Sequence, residues 1–440
     1  MSTHTLEHLR SGTLAGSRRL ALRDGLGEFP REIFDLAETL EVLDLSGNRL
    51  SSLPDDLPRL HRLRIIFCST NRFTTLPAVL GRCPQLEMVG FKSNQICRVP
   101  AEALPERLRW LILTDNEIEA LPAEIGRCGR LQKLALAGNR LRALPAAMAA
   151  CTRLELLRIS ANRLAALPGW LLTLPRLSWL AYAGNPFCEA RRTQEQATLA
   201  QAPLATIPWR ELRLQEQLGE GASGVIHRAE RLDCGTPVAV KIFKGEVTSD
   251  GLPRSEMAAA LLAGDHPNLI PLLGRLSGHP AQAQGLVMQL ITPEFRSLAQ
   301  PPSLDSCTRD VYPDGSRFEL GSALALAQGI ASAARQLHQR GVSHGDLYGH
   351  NILHDGRAQA YLGDFGAASL FDPDDRQTAL ALQRLEVRAF GCLLEELLAH
   401  IEPTAATQAR LDSLDALSRA CLSEAVASRP LFAELEAALR

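Results

Sequence analysis

Residues in the C-terminal half of the chain have the types and the spacing that phosphate chemistry uses. Gly219, Gly221 and Gly224 have G-x-G-x-x-G spacing, and glycines let backbone amides approach phosphate groups closely. The motif alone is a weak signal, because glycine hairpins are common. It is followed by Lys241, which is one of only four lysines in the chain and ends the apolar run VAVK. A retained lysine in a chain that otherwise uses arginine is informative.

Further charged and amide side chains follow in a fixed order. Glu256 lies on a segment with a helical pattern, and the segment HPNLI then leads to the apolar run GLVMQLI. The segment HGDLYGHN contains Asp346 and Asn351, and GDFG contains Asp364. The spacings of 5 and 13 residues between these three suit a loop followed by a short hairpin.

This ordered set of five separated motifs resembles the protein kinase family over residues 209–440. The resemblance implies ATP and Mg²⁺ as cofactors, with Lys241 on the α- and β-phosphates and Glu256 paired with that lysine. It implies that Asp346 accepts the proton of the substrate hydroxyl. It also implies that Asn351 and Asp364 hold Mg²⁺.

The resemblance also implies a nucleotide pocket. Ile226 and Ala239 would enclose the adenine ring, and Met288 would lie at the back of the pocket. The full set implied to bind ATP is Leu218, Gly219, Gly221, Gly224, Ile226, Ala239, Lys241 and Met288.

Several positions depart from the family pattern. Gly345 stands where many kinases place an arginine that meets a phosphorylated loop, so such a switch lacks its charge partner. Tyr348 and His350 replace residues that separate Ser/Thr from Tyr kinases, which leaves the acceptor type open. Glu386 replaces the usual Asp of a central helix. No A-P-E motif precedes it, so Arg429 lacks the glutamate it would pair with and the peptide platform is shortened or absent.

The first half of the chain is a repeat array. Its asparagines recur every 22 or 23 residues, each preceded by an L-x-x-L-x-L-x-x pattern in which other apolar residues sometimes replace leucine, and most followed by x-L-x-x-L-P. They are Asn48, Asn71, Asn94, Asn116, Asn139, Asn162 and Asn185. Inward leucines of one coil are buried only when coils stack, and the asparagine amide can pair with backbone groups. The array resembles leucine-rich repeats, so the whole chain resembles a leucine-rich repeat protein kinase of the bacterial type.

The repeat register predicts a concave face with exposed apolar side chains. This face includes Val42, Ile65, Met88, Leu156, Phe67, Trp110, Ile112 and Trp179. Exposed apolar side chains in one patch favour a partner-binding surface, for which we name Trp110, Trp179, Phe67 and Ile112. The alternatives are that these side chains pack on one another or that the second domain covers them.

Composition excludes several other classes. The net charge of -2 argues against a strongly basic nucleic-acid binder, and the 10 cysteines form no CxxC pair for zinc. No apolar run reaches the ~18 residues of a membrane-spanning helix, and the N-terminus lacks a signal peptide's apolar stretch. We therefore expect a cytoplasmic protein with no membrane span.

The predicted fold class is an α/β leucine-rich repeat solenoid followed by a two-lobed α+β protein-kinase-like domain. The predicted domains are a repeat domain over residues 1–188, a linker over 189–208 and a kinase domain over 209–440. The leading hypothesis is an ATP- and Mg²⁺-dependent protein kinase, of the serine/threonine type, whose repeats recruit an unidentified protein partner or substrate. The alternatives are a phosphotransferase for small molecules, of the aminoglycoside or choline type, and a pseudokinase scaffold.

Overall fold

The computed structural model describes residues 4–188, 205–221, 223–244, 248 and 250–440. The chain divides into two compact units, Met1–Leu174 and Pro175–Arg440. The boundary falls after Leu174, so the final coil of the array groups with the C-terminal unit rather than with the other repeats. Of the predicted linker over 189–208, residues 189–204 lie outside the described residues, and the last four form a strand.

Over residues 4–174, the first unit contains a short helix and seven three-residue strands, which pair in parallel in chain order. The elements are α1 (Leu6–Arg10), β1 (Arg19–Ala21), β2 (Val42–Asp44), β3 (Ile65–Phe67), β4 (Met88–Gly90), β5 (Trp110–Ile112), β6 (Lys133–Ala135) and β7 (Leu156–Arg158). Short 3-10 helices at Arg31–Leu36, Leu57–Arg59, Ala78–Arg82, Ala101–Ala103, Ala123–Arg127, Ala146–Ala150 and Gly169–Thr173 carry the chain back between strands. The middle residue of each strand is buried, as the inward leucine pattern predicts.

The repeat asparagines hold adjacent coils together. The Asn48 side chain donates from Nδ2 to the carbonyls of Leu22 and Leu45 at 2.8 Å, and its Oδ1 accepts from the Leu26 amide at 3.0 Å. Each asparagine therefore satisfies buried backbone groups of its own coil and of the preceding one. The same arrangement recurs at Asn71, Asn94, Asn116, Asn139 and Asn162.

The residue before each repeat asparagine adopts the left-handed backbone region. These residues are Gly47, Thr70, Ser93, Asp115, Gly138, Ala161 and Gly184, with φ between +52° and +77°. Glycine adopts this region freely, whereas other L-residues lose about 1–2 kcal/mol in it. The turn geometry therefore explains why glycine precedes asparagine in three of the seven coils.

The expected concave surface is smaller than predicted. Phe67, Trp110 and Ile112 are half-buried, and the Lys133 ammonium lies 4.3 Å from the centre of the Trp110 ring. Four side chains that we expected to be exposed are instead buried: Val42, Ile65, Met88 and Leu156. The register explains the first three, because Val42, Ile65 and Met88 follow one another at the same position of adjacent strands about 5 Å apart. Leu156 lies beside Lys133 instead.

The second unit contains the final coil, a six-stranded mixed sheet, two small sheets and five helices among its described residues. Its strands are β8 (Trp179–Ala181), β9 (Ala205–Pro208), β10 (Leu212–Glu220), β11 (Gly224–Arg231), β12 (Pro237–Phe243), β13 (Leu272–Ser277), β14 (Gly285–Gln289), β15 (Arg296–Ser297), β16 (Val342–Ser343), β17 (Ile352–His354), β18 (Ala360–Leu362) and β19 (Ser369–Leu370). The six-stranded sheet has the order β10-β11-β12-β14-β13-β9, and only β9 pairs in parallel. β15, β17 and β18 form one small sheet, and β16 pairs with β19 in the other.

The helices of the second unit are α2 (Pro253–Ala263), α3 (Leu320–Gln339), α4 (Arg376–Ala399), α5 (Gln408–Cys421) and α6 (Phe432–Leu439). The middle of α4 is buried from Leu385 to Leu394, which makes it the central helix of this unit. A repeat array of parallel strands followed by a mixed sheet with helices confirms the predicted fold class. Within the described residues, no helix combines the length and the apolar character that crossing a membrane would require.

Candidate active site

Lys241 and Glu256 form a buried ion pair. β12 carries Lys241 between β11 and β14, where it pairs with Ile226 and Leu286 in the register. Glu256 lies in the first turn of α2, and the Lys241 ammonium donates to its carboxylate. The ammonium also lies 3.7 Å from Asp364 Oδ1. Burial alone would lower the pKa of Lys241, but the charges of Glu256 and Asp364 outweigh burial and raise it, so the ammonium stays protonated.

The loop between β16 and β17 brings Asp346 and Asn351 together. The Asn351 Nδ2 donates to Asp346 Oδ2 at 2.8 Å and to the Asp346 carbonyl at 2.9 Å. These bonds fix the Asp346 carboxylate. His344 lies within 2.9 Å of the Gly363 carbonyl, which joins this loop to the segment that carries Asp364. The loop and that segment therefore form one hydrogen-bonded group.

Asp364 has a left-handed backbone with φ of +53°, an uncommon conformation for a residue other than glycine. Its Oδ1 accepts from the Gly366 amide at 3.1 Å, and the same oxygen faces Lys241. The turn directs the carboxylate to the end of the cleft where the lysine lies. Strained backbone of this kind occurs preferentially at functional sites.

A carboxylate of the central helix supports the loop from behind. Glu386 of α4 accepts from the Gly345 amide at 2.7 Å and lies 2.5 Å from His338 Nε2. Burial alone would raise the pKa of Glu386, but the His338 charge and the bonds to this carboxylate lower it below its ordinary value. Glu386 stands where the family usually has Asp, and its side chain reaches the backbone of the loop.

Sequence reasoning missed Asp310. Its side chain is buried and lies 2.7 Å from His350 Nδ1, and its Oδ2 accepts from the His350 amide at 3.2 Å. His350 lines the same cleft as Lys241 and Asp364. No motif marks Asp310 in the sequence, because it lies 40 residues before its partner in an irregular segment.

The cleft has a volume of about 460 Å³. It is bordered by most of the residues expected to bind ATP: Gly219, Gly221, Gly224, Ile226, Lys241 and Met288. A Cβ on Gly224 would lie 2.5 Å from the Ile242 carbonyl oxygen, so only glycine fits there. Ala239 is buried opposite Met288 in the β12–β14 register and is not among the lining residues. Leu218 is also not among them, and it is 49% exposed.

The side chains of Asn351 and Asp364 supply oxygen atoms of the kind that Mg²⁺ binds. Among the residues that the structure describes, no group of three or more His, Cys, Asp or Glu side chains could by itself hold a metal ion. Mg²⁺ does not need such a group, since it commonly binds one or two protein oxygens together with substrate phosphates. The residues present fit that ion.

Trp179 does not belong to an exposed concave face. It is 1% exposed, and its indole Nε1 donates to the Leu347 carbonyl at 3.0 Å. Its ring stacks on Tyr348 with the two ring centres 4.1 Å apart. The expectation of a partner-binding Trp179 is therefore corrected, and the alternative of cover within the chain holds for this residue. The reason is that the final coil packs against the loop that carries Asp346.

Comparison with known proteins identifies both parts of the chain. The protein kinase domain family matches residues 212–390, and leucine-rich repeat families match residues 39–60 and 106–164. The chain therefore carries leucine-rich repeats followed by a protein kinase domain.

Curated relatives are kinases. A probable serine/threonine-protein kinase of Arabidopsis thaliana is 28% identical over 168 residues, which cover 37% of this chain and 27% of that protein. Serine/threonine-protein kinase CTR1 of the same plant is 30% identical over 173 residues, which cover 37% of this chain and 19% of that protein. Cyclin-dependent kinase 11.1 of Caenorhabditis elegans is 27% identical over 170 residues, which cover 38% of this chain and 22% of that protein. The chain thus spans less than a third of the length of these relatives.

Among solved structures, a leucine-rich repeat protein of Leptospira interrogans has a TM-score of 0.33 and 30% identity. The match covers 40% of this chain and 52% of that one.

Proposed function

We propose that the C-terminal unit is a protein kinase that transfers the γ-phosphate of ATP to a serine or threonine hydroxyl of a protein. The observation that carries this proposal is the convergence of Lys241, Glu256 and Asp364 on one end of the cleft, with Asp346 hydrogen-bonded to Asn351 in a loop joined to the same segment. Phosphoryl transfer depends mainly on positioning and on charge stabilisation, and these side chains supply both.

Each side chain has a role that follows from its surroundings. Lys241 is held charged by two carboxylates and would bind the α- and β-phosphates. Asp346 would orient the acceptor hydroxyl and take its proton, and Asn351 keeps its carboxylate in place. Gly219, Gly221 and Gly224 lie at the turn from β10 to β11, where the lack of side chains would let the backbone approach the phosphates closely.

Asn351 and Asp364 would hold Mg²⁺, which when bound neutralises charge on the triphosphate. Asp364 faces Lys241, so a residue that would hold the metal lies beside the residue that would bind the phosphates. Asp364→Asn should accordingly weaken nucleotide binding that depends on the metal.

A protein acceptor is favoured over a small molecule. The glycine motif, the HPNLI segment and the GDFG segment are together typical of protein kinases. The serine/threonine assignment is supported by the similarity to the two Arabidopsis thaliana serine/threonine-protein kinases. The retained Lys241, Asp346, Asn351 and Asp364 argue against a scaffold without activity.

The test is incubation of the full chain with labelled ATP, Mg²⁺, a generic protein and a panel of aminoglycosides. We expect label on serine or threonine of the protein, and Asp346→Asn should lower turnover by about 10²–10⁴ while ATP binding is kept. The exposed Asp314→Asn serves as the matched control. Label on an aminoglycoside, or equal turnover by Asp346→Asn, would contradict the proposal; nucleotide binding without transfer would favour the scaffold.

We also propose that the array recruits the protein acceptor through Phe67, Trp110 and Ile112. These apolar side chains are half-buried. Phe67 and Ile112 occupy the same strand position, Trp110 lies two residues before Ile112, and Lys133 adds a charge over the Trp110 ring. Once an acceptor is identified, Trp110→Ala should raise the KM for the intact acceptor protein. The KM for a short peptide containing only the phosphorylated site should not change. An equal rise in KM for the intact acceptor and for the short peptide would contradict recruitment by the array.

A further inference from the structure

The final coil of the array, residues 175–188, contacts the catalytic loop. Trp179 of β8 donates to the carbonyl of Leu347 and stacks on Tyr348 with an interplanar angle of 8°. These are the first and second residues after Asp346. The indole thus holds the backbone on one side of the proposed base, while Asn351 holds its carboxylate.

The residue before Asp346 lies against the same coil. Gly345 has a φ of +72°, and a Cβ at this position would lie 2.8 Å from the Leu180 carbonyl oxygen and 2.6 Å from that of Ala367. No side chain fits between β8 and the segment that follows Asp364. This close approach explains why glycine stands where many kinases place arginine.

Buried polar contacts fix the coil in place. The Ser369 hydroxyl accepts from the Tyr182 and Ala183 amides at 3.0 and 3.2 Å. Arg388 of α4 donates to the Ser178 hydroxyl at 2.7 Å. Arg429 donates to the Pro175 carbonyl at 2.6 Å, which gives this arginine a backbone acceptor in the absence of an A-P-E glutamate. Buried groups held this way are costly to separate, so the coil is an integral part of this unit.

We infer that Trp179 is a positioning residue for catalysis, which acts by fixing the loop that carries Asp346. The inference rests on the proposed kinase activity. In this arrangement a repeat coil supports the catalytic loop, and no phosphate on the segment after Asp364 is required. Misplacement of a reacting group by about 1 Å can lower a rate by about 10²-fold, so the effect falls on kcat. The nucleotide cleft does not include Trp179, so the KM for ATP is not affected.

The first measurement is steady-state kinetics of the full chain with Trp179→Leu and Trp179→Phe. Leucine loses both the donor and the stacked ring, and we expect kcat to fall by about 10- to 100-fold with an unchanged KM for ATP. Phenylalanine keeps the stacking and loses only the donor, so its kcat should be intermediate. The matched control is Trp170→Leu, the same change at a half-buried tryptophan of the array, which should leave kcat unchanged. A wild-type kcat in folded Trp179→Leu would overturn the inference.

The second measurement is hydrogen exchange of the same full-length variants, which needs no activity. We expect the amides of residues 345–351 to lose protection in Trp179→Leu, while those of β12 and β14 keep it. Unchanged exchange in this loop would overturn the inference even if the wild type transfers phosphate. If the wild type transfers none, the proposed function fails and the exchange data still decide the positioning role. Should Trp179→Leu not fold, the exchange and kcat of Trp179→Phe decide in the same way.

Discussion

The repeat array and the kinase domain bury polar groups in different ways. In the array, one neutral side chain per coil bonds to backbone groups, and the same bonds recur at a fixed interval. In the kinase domain, several buried charges are held by particular partners far away in sequence. Glu386, for example, meets His338 and the Gly345 amide, which lie 48 and 41 residues before it.

This difference in how polar groups are buried predicts how each region tolerates substitutions. Because every asparagine serves one junction between coils, its loss should affect one step of a repeated structure. A buried charge in the kinase domain supports a single loop on which catalysis depends. Its loss should affect both stability and turnover, because an uncompensated partner is left behind.

The largest effect is expected for Glu386→Ala. The change leaves the Gly345 amide without its buried acceptor and His338 without its charge partner, and breaking a buried pair costs about 3–5 kcal/mol. Urea unfolding of the C-terminal unit measures it. The control is Glu436→Ala, which removes a more exposed ion pair with Arg335, worth about 0–1 kcal/mol. Equal losses for the two variants would show that the distinction between buried and surface charges is wrong here.

A smaller loss is expected for Asn116→Ala in the array. The buried Asn116 donates to the Phe91 and Leu113 carbonyls and accepts from the Ile96 amide. Buried groups left unpaired cost about 1–3 kcal/mol, whereas kinase turnover should stay at the wild-type level. Asn94→Ala is the matched comparison, since Asn94 makes equivalent bonds but is only half-buried and water can replace its amide. A greater loss at Asn94 than at Asn116 would contradict burial as the cause.

The array could be predicted in detail because its contacts are set by position in the repeat. The interval between asparagines predicted the strands, the inward leucines and the asparagine hydrogen bonds to backbone groups. It did not give the burial of Met88, because the lateral contact between coils depends on the register of the sheet. A side chain that points away from the core of one coil can still be covered by its neighbours.

The kinase site was predictable only where a motif marks it. Lys241, Glu256, Asp346, Asn351 and Asp364 were identified by order and spacing, and the structure brings them together. The contacts that support these residues were not identified. Asp310 has no motif, and Trp179 meets a loop 168 residues later in the chain. Such contacts depend on tertiary packing, which local spacing does not encode.

A third prediction concerns the hydroxyls between Asp364 and Glu386. Ser369 is buried and accepts from two backbone amides of the final coil, so Ser369→Ala should lose about 1 kcal/mol of stability. Thr378→Ala should by comparison leave the stability unchanged. Neither residue is expected to need phosphorylation, because Ser369 is inaccessible and Gly345 offers no guanidinium. Mass spectrometry before and after phosphatase treatment, with turnover measured in parallel, tests this. Recovery of activity through phosphate on either residue would contradict it.

The smallest effect is expected for an exposed ion pair of the array, where solvent screens the charges. Arg31 donates to both oxygens of Asp56, at 2.7 and 2.6 Å. The hydrogen bond from Arg31, with a further one from Arg59, lowers the pKa of Asp56 to about 2. A carboxyl whose pKa is lowered by folding adds stability above its unfolded pKa of about 3.9, and this stability is lost as pH falls towards 2.

Asp56→Asn should therefore melt slightly below the wild type at pH 7, and the two melting temperatures should converge near pH 2. The control is Asp55→Asn at the neighbouring residue. The Asp55 carboxylate makes one longer contact of 3.3 Å with Arg82. A difference between Asp56→Asn and wild type that stays constant from pH 7 to pH 2 would mean that the pair acts through packing of the arginine rather than through charge. The exposed charges of the array would then differ from the buried charges of the kinase domain in mechanism as well as in size.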